Sequence, residues 1–147
     1  MIKGTDPHLL PETVVALTLF AECRGESEEG QQAVASVIVN RAVKHLEKGF
    51  DAGLPAALGI ECIEPEQFSC WKDDIYLGKE PYPITRDGQG VVNPEYDIWL
   101  TLLRLACDMC LADFVPTIDA NLYHTVDCHP SWSEGLTPVA TIGKHIF

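Results

Sequence analysis

The residues best placed to do chemistry lie in the segment Ala21-Glu22-Cys23-Arg24-Gly25-Glu26. Glu22 closes an apolar run, Val14–Ala21, and follows Thr18 and Leu19 on one side of the expected helix. A carboxyl group there meets the negative end of the helix dipole, and its apolar neighbours strip it of water. Both effects favour the protonated acid, which can hand a proton to a leaving oxygen, as glycoside cleavage requires. The plainer reading of Glu22 is a solvated or arginine-paired residue at a helix end. A different chemistry is also open. Cys107 and Cys110 have CxxC spacing, and Cys128-His129 would complete a four-ligand zinc set. Against zinc, the CxxC pair falls inside an apolar helical pattern, where thiols at i and i+3 are readily buried neighbours.

The elements that must hold these groups follow from the pattern. A helix is predicted over Pro11–Cys23, with Pro11 at the first helical position, Glu12 at the positive dipole end and Gly25 as its stop. A second helix is predicted after the N-cap Ser27, with Glu28 and Glu29 in its first turn. It continues through Gln31–Lys48, with Ala33, Val34, Val37, Ile38 and Arg41 along one stripe and Gly49 at its end. Residues 50–97 carry five prolines and several glycines and read as loops with short helical turns. A third helix is predicted over Pro94–Phe114, and strands over Asn121–Val126 and Val139–Ile142. The expected fold is α+β and mainly helical, with a small late β element. At 147 residues the chain reads as one domain, residues 1–147, with residues 1–10 as an N-terminal extension.

Composition excludes several function classes. Ten Lys and Arg against 22 Asp and Glu leave a net charge of −12, which should repel nucleic acid and anionic lipid. No apolar run is long enough to span hydrocarbon, so no membrane insertion is expected. The opening Met1-Ile2-Lys3-Gly4-Thr5-Asp6-Pro7 lacks a secretory signature, so free buried thiols are expected for the six cysteines. A monomer needing no cofactor and no metal is the expectation.

Three blocks in order carry a family resemblance. The first is Glu22, Arg24, Gly25, Glu26, Gly30, Ala33-Val34-Ala35, Val37 and Asn40-Arg41. The second is Gln67-Phe68-Ser69-Cys70-Trp71. The third is Asn121, Tyr123-His124, Pro130, Trp132 and Ile142-Gly143-Lys144-His145-Ile146-Phe147. Together they resemble the SleB-type cell wall hydrolases, the spore-cortex-lytic enzymes and their phage and bacterial relatives. Cys23 departs from the pattern, since the family commonly has a small residue such as Ala there. The resemblance implies a lysozyme-like fold and cleavage of peptidoglycan glycan strands between N-acetylmuramic acid and N-acetylglucosamine by lytic transglycosylation. It matches Glu22 to the family's catalytic glutamate and Glu26 to a second family glutamate. It also implies action on the cell wall, in the periplasm or the wall itself, with release through a holin if the protein is phage-encoded.

On that reading Trp71 offers a flat face to a sugar ring, while Gln67 and Ser69 offer hydrogen bonds to hydroxyl or acetamido groups. Phe68 and Trp71 can equally be core anchors of a long loop. Tyr123 and His124, on a strand, point to opposite faces. Tyr123 is the expected groove residue, within reach of the acid or the substrate. His124 is a substrate-binding candidate whose bland alternative is a structural histidine. His145 and Trp132 read as packing or orienting residues. No second carboxylate in the matched blocks is an evident partner for Glu22, and Asp119 and Asp127 are weaker candidates. One carboxyl group suffices when the muramic 6-hydroxyl attacks intramolecularly. A water-using muramidase and a wall-binding module without catalysis are the alternatives.

Overall fold

The computed structural model describes residues 10–64, 67–71 and 95–147. Four helices come first: α1 (Pro11–Cys23), α2 (Glu28–Glu47), α3 (Leu54–Ile63) and α4 (Tyr96–Cys110). Three two-residue strands follow: β1 (His124–Thr125), β2 (Thr141–Ile142) and β3 (His145–Ile146). The architecture is α+β and mainly helical.

Helix α1 is the hub. Every side chain from Val14 to Phe20 is buried, and α1 packs against α4, α3 and α2 in turn. A helix apolar on all sides has to be covered on all sides. Pro11 stands at its start, where a missing N–H removes no bond. The N-cap Ser27 starts α2, its Oγ accepting from Gly30 N at 3.2 Å. Helix α2 ends at Glu47, before Gly49 with a φ of +99°.

Helix α3 corrects the expectation of loops after residue 50. Pro55 and Gly53 look like punctuation, yet Pro55 occupies the first turn, where it is tolerated, and Ala57, Leu58, Glu61 and Cys62 face inward. Helix α4 is shorter than its apolar pattern, because the chain leaves the helix at Ala112, whose φ is +60°. Pro94 and residues 1–9 lie outside the described residues.

The sheet is antiparallel in the order β1-β3-β2, pairing His124 with Ile146, Thr125 with His145, and Thr141 with Ile146. The two longer strands expected here reduce to these short pairs, and β3 was not anticipated. Helix α2 ties down the segment leading to β1. Asn40 Nδ2 donates to the carbonyls of Ile118 (3.1 Å) and Ala120 (2.9 Å), and Ser36 Oγ accepts from Thr117 N at 2.8 Å. Two polar side chains of α2 thereby fix the path of the chain into Tyr123. Among the described residues no helix is long and apolar enough to cross a membrane.

Candidate active site

Glu22 sits one residue before the end of α1, half-buried, at the meeting point of two stretches of a surface trough. The larger stretch, about 650 Å³, is lined by Glu22, Tyr123, His124 and Trp132 together with Arg41, Gln67 and Phe68. The smaller, about 360 Å³, passes Arg24, Thr125 and Lys144. Glu22, Thr125 and His145 belong to both.

Burial pushes the Glu22 carboxyl above its ordinary value, and a hydrogen bond from Tyr123 Oη to Oε2, 2.8 Å, pulls part of the way back. Desolvation is the larger of the two, so the acid form is favoured. Burial, reinforced by the nearby Glu22 carboxylate, holds Tyr123 well above its usual range, and its phenol stays protonated to donate. Tyr123 is itself set edge-on to His145, with centroids 5.0 Å apart, and tilted against Phe147 at 5.5 Å. His145 is buried and its pKa is lowered by desolvation, which outweighs the carboxylate of Glu26 at 3.7 Å from Nδ1. That nitrogen has no aligned hydrogen bond, so its contact with Glu26 is not a formed ion pair.

Glu26 braces the β2–β3 turn rather than facing the trough's long wall. Its side chain is one-tenth exposed and fills the space beside Gly30 and Gly143. A Cβ on Gly143 would run into the Glu26 carboxylate, and Gly143 has a φ of +56° besides. Cys23, the departure beside the acid, is buried and donates its thiol to the Leu19 carbonyl at 3.1 Å.

Trp71 is not among the residues lining the trough. It packs on the core, and its indole N–H donates to Thr18 Oγ1 at 2.9 Å, which makes it an anchor of the 3₁₀ turn Ser69–Trp71. Ser69 opens that turn, and its side chain lies outside the described residues. Gln67 and Phe68 do line the trough, Phe68 buried and Gln67 exposed. Gln67 Oε1 accepts from Arg41 Nη2. His124 is half-exposed, its Nδ1 2.8 Å from the Thr125 carbonyl, and its ring meets Trp132 edge-on at 5.6 Å. Trp132, expected as a packing residue, is 45 % exposed. It lies in a short 3₁₀ turn, Ser131–Ser133, that stands out from the core.

Arg41 was visible in the sequence as a member of the α2 stripe and of the first matched block, with no role assigned to it. A cation at i+3 from Ile38 on an apolar face was the signal, since burial there demands a partner. The partner is Glu61, 2 % exposed, with Oε1 2.5 Å from Arg41 Nε and Oε2 2.7 Å from His45 Nε2. The Arg41 contact is a close charge pair off the N–H direction, for Oε1 has no aligned hydrogen bond. Glu64 adds a carboxylate 3.9 Å from His45. Cys107, Cys110, Cys128 and His129 do not form such a group, so the zinc arrangement lacks its geometry among the described residues. Thiol burial is graded. Cys23 and Cys62 are buried and shifted upward, Cys110 is buried and pushed up to about 12, Cys70 and Cys107 are half-buried, and Cys128 is exposed.

A half-buried acid, hydrogen-bonded by a tyrosine and open to an elongated trough, suits cleavage of a polymer. Residues 25–147 match the Cell Wall Hydrolase family. The chain belongs to that family. No curated protein and no solved structure matches it significantly. Membership makes this cell wall hydrolase a peptidoglycan-degrading enzyme. The matched span includes Glu26, Arg41, Tyr123 and the Gly143 turn, while Glu22 lies three residues before it. The case for Glu22 in this hydrolase rests on its geometry.

Proposed function

We propose that the protein is a lytic transglycosylase in which Glu22 is both general acid and general base, acting between N-acetylmuramic acid and N-acetylglucosamine. The protonated carboxyl of Glu22 gives its proton to the glycosidic oxygen as the bond from that oxygen to the muramic C1 breaks. The muramic 6-hydroxyl then bonds to C1, and its proton passes to the Glu22 carboxylate. The products are a 1,6-anhydromuramic end and a free 4-hydroxyl, with the acid regenerated. Tyr123, donating to Oε2, steadies the carboxylate in the interval when it carries charge.

The observation that favours this reading is that Glu22 is the one carboxylate among the described residues lining the larger stretch of trough. A double-displacement hydrolase needs a second carboxyl group at about 5–5.5 Å, and an inverting one at about 6.5–9.5 Å. Glu26, the nearest candidate in sequence, borders the smaller stretch, but its carboxylate is packed against Gly143 and its side chain is one-tenth exposed. An intramolecular hydroxyl needs no activated water and gains from proximity. Gln67 and His124 are proposed to hydrogen-bond sugar substituents in the trough, and Arg41 to meet the muramic carboxylate. The residues 1–147 are proposed to act as one catalytic domain on the wall.

Mass spectrometry of digested peptidoglycan tests the proposal. Anhydro ends, lighter by one water than hydrolysis products, are expected from the wild type, and none from Glu22→Gln with an unchanged circular dichroism spectrum. Reducing muramic ends from the wild type would assign a muramidase, and lysis by Glu22→Gln would remove the acid from Glu22.

A further inference from the structure

Beside the trough lies a second cavity of about 460 Å³ whose role the cleavage chemistry leaves open. It shares Leu122, His124 and Trp132 with the trough, so the two cavities adjoin at these residues. Its far wall is Leu136 and Val139, 61 % and 59 % exposed. These two side chains give the cavity an open apolar rim. Asp119, Asn121 and Thr137 supply polar groups between them.

The chemistry of the lining selects the occupant. Among its described residues there is no Lys or Arg, and Asp119 contributes a carboxylate. Peptide stems carry carboxylates that would find no lysine or arginine here, only the imidazoles of His124 and His129. A neutral N-acetylhexosamine presents an apolar ring face, suited to an indole, and hydroxyl and acetamido groups, suited to carboxylate and amide. Of the three tryptophans, Trp99 is buried and Trp71 is tied to Thr18, which leaves Trp132 as the one indole free to stack.

We infer that this cavity is an outlying glycan subsite, binding neutral N-acetylglucosamine units of the same strand that passes Glu22, with Trp132 as its stacking platform. The inference rests on the glycan-cleaving reading, though its test does not depend on cleavage. In the Glu22→Gln protein, titration with chitohexaose should shift the Trp132 indole N–H resonance and quench tryptophan fluorescence. Trp132→Ala in that background should weaken binding at least tenfold, while Trp132→Phe should stay within about threefold of the parent. Leu136→Glu, at an exposed position the core does not need, should also weaken it at least tenfold. Equal affinity in Trp132→Ala and Leu136→Glu overturns the subsite. So does a Trp132 resonance that responds to acidic muramyl peptides but not to chitohexaose, or to protein concentration alone, which would assign the cavity to peptide stems or to a second copy. If chitohexaose binds as expected while Glu22→Gln still cleaves peptidoglycan, the subsite stands and the catalytic assignment falls.

Discussion

Tyr123 Oη donates a 2.8 Å hydrogen bond to Glu22 Oε2, although 101 positions separate the two residues in the chain. The bond favours the ionised carboxyl, while burial favours the neutral one and is the stronger influence. Removing the phenol hydroxyl takes away the downward pull, so the Glu22 pKa in Tyr123→Phe goes higher still. Because Glu22, as the proposed general acid, acts in its protonated form, the alkaline limb of the kcat/KM profile should move to higher pH. The maximal rate should fall roughly tenfold, the equivalent of one net hydrogen bond of about 1.4 kcal/mol. A pH–rate profile on soluble peptidoglycan fragments checks both. A limb that stays in place or moves to lower pH would detach Tyr123 from the acid.

The same burial has a thermodynamic sign. Below the ordinary carboxylate range Glu22 is neutral in both folded and unfolded chains and contributes no pH dependence. As pH rises through the window between that range and the raised folded value, the unfolded chain releases its proton and the folded one keeps it. Stability therefore falls with pH across that window. Glu22→Gln has no proton to keep. Its Tm should equal the wild-type value near pH 3.5 and exceed it at pH 8, as measured by scanning calorimetry. A variant less stable than wild type at pH 8 would count against a desolvated acid.

Gly143 carries a left-handed φ and gives its side-chain space to the Glu26 carboxylate. Gly143→Ala should destabilise the fold by about 2 kcal/mol, from backbone strain and overlap together. Adding Glu26→Ala removes the overlap but not the strain. In a double-mutant cycle by urea unfolding, the pair should cost less than the sum of the singles. Strict additivity would separate the two residues.

Glu61 holds Arg41 from beneath, at 2 % exposure against 17 % for the arginine. Glu61→Ala leaves a mostly buried guanidinium without its countercharge, and a loss of about 3 kcal/mol is expected in urea unfolding. The untethered Arg41 should also raise KM more than it lowers kcat. A loss under about 0.5 kcal/mol would give the pair no more weight than an exposed one.

The helices were legible where burial imposes one pattern, as in α1, whose ends follow from Pro11 and the apolar run. Helix α3 was hidden because Pro55 and Gly53 mean opposite things at the start of a helix and inside a loop, and no local signal separates the two. Glu61 was hidden with it, because a buried carboxylate looks like a surface one until its partners on α2 are known. Tyr123 was picked out by its type and setting, and what the sequence lacked was Asn40 and Ser36 fixing its approach. Trp71 and Trp132 exchange their expected places. Trp71 is an anchor through Thr18, while Trp132 stands at the rim because its short 3₁₀ turn lies outside the core. An aromatic residue in a loop suits either position, and only tertiary contacts decide.

The pairing of β3 with β1 and β2, and of Phe147 with Ala140, has a consequence for protein synthesis. A nascent chain that holds α1 through α4 already carries the acid, but not the tyrosine beside it or the ring stack behind that tyrosine. At about 5–20 residues per second, translation must run for several seconds beyond Glu22 before the last of these residues leaves the ribosome. A ribosome stalled short of residue 145 would hold the four helices without β3 or the ring stack behind Tyr123, so the surroundings of Glu22 are completed only once His145–Phe147 have been made.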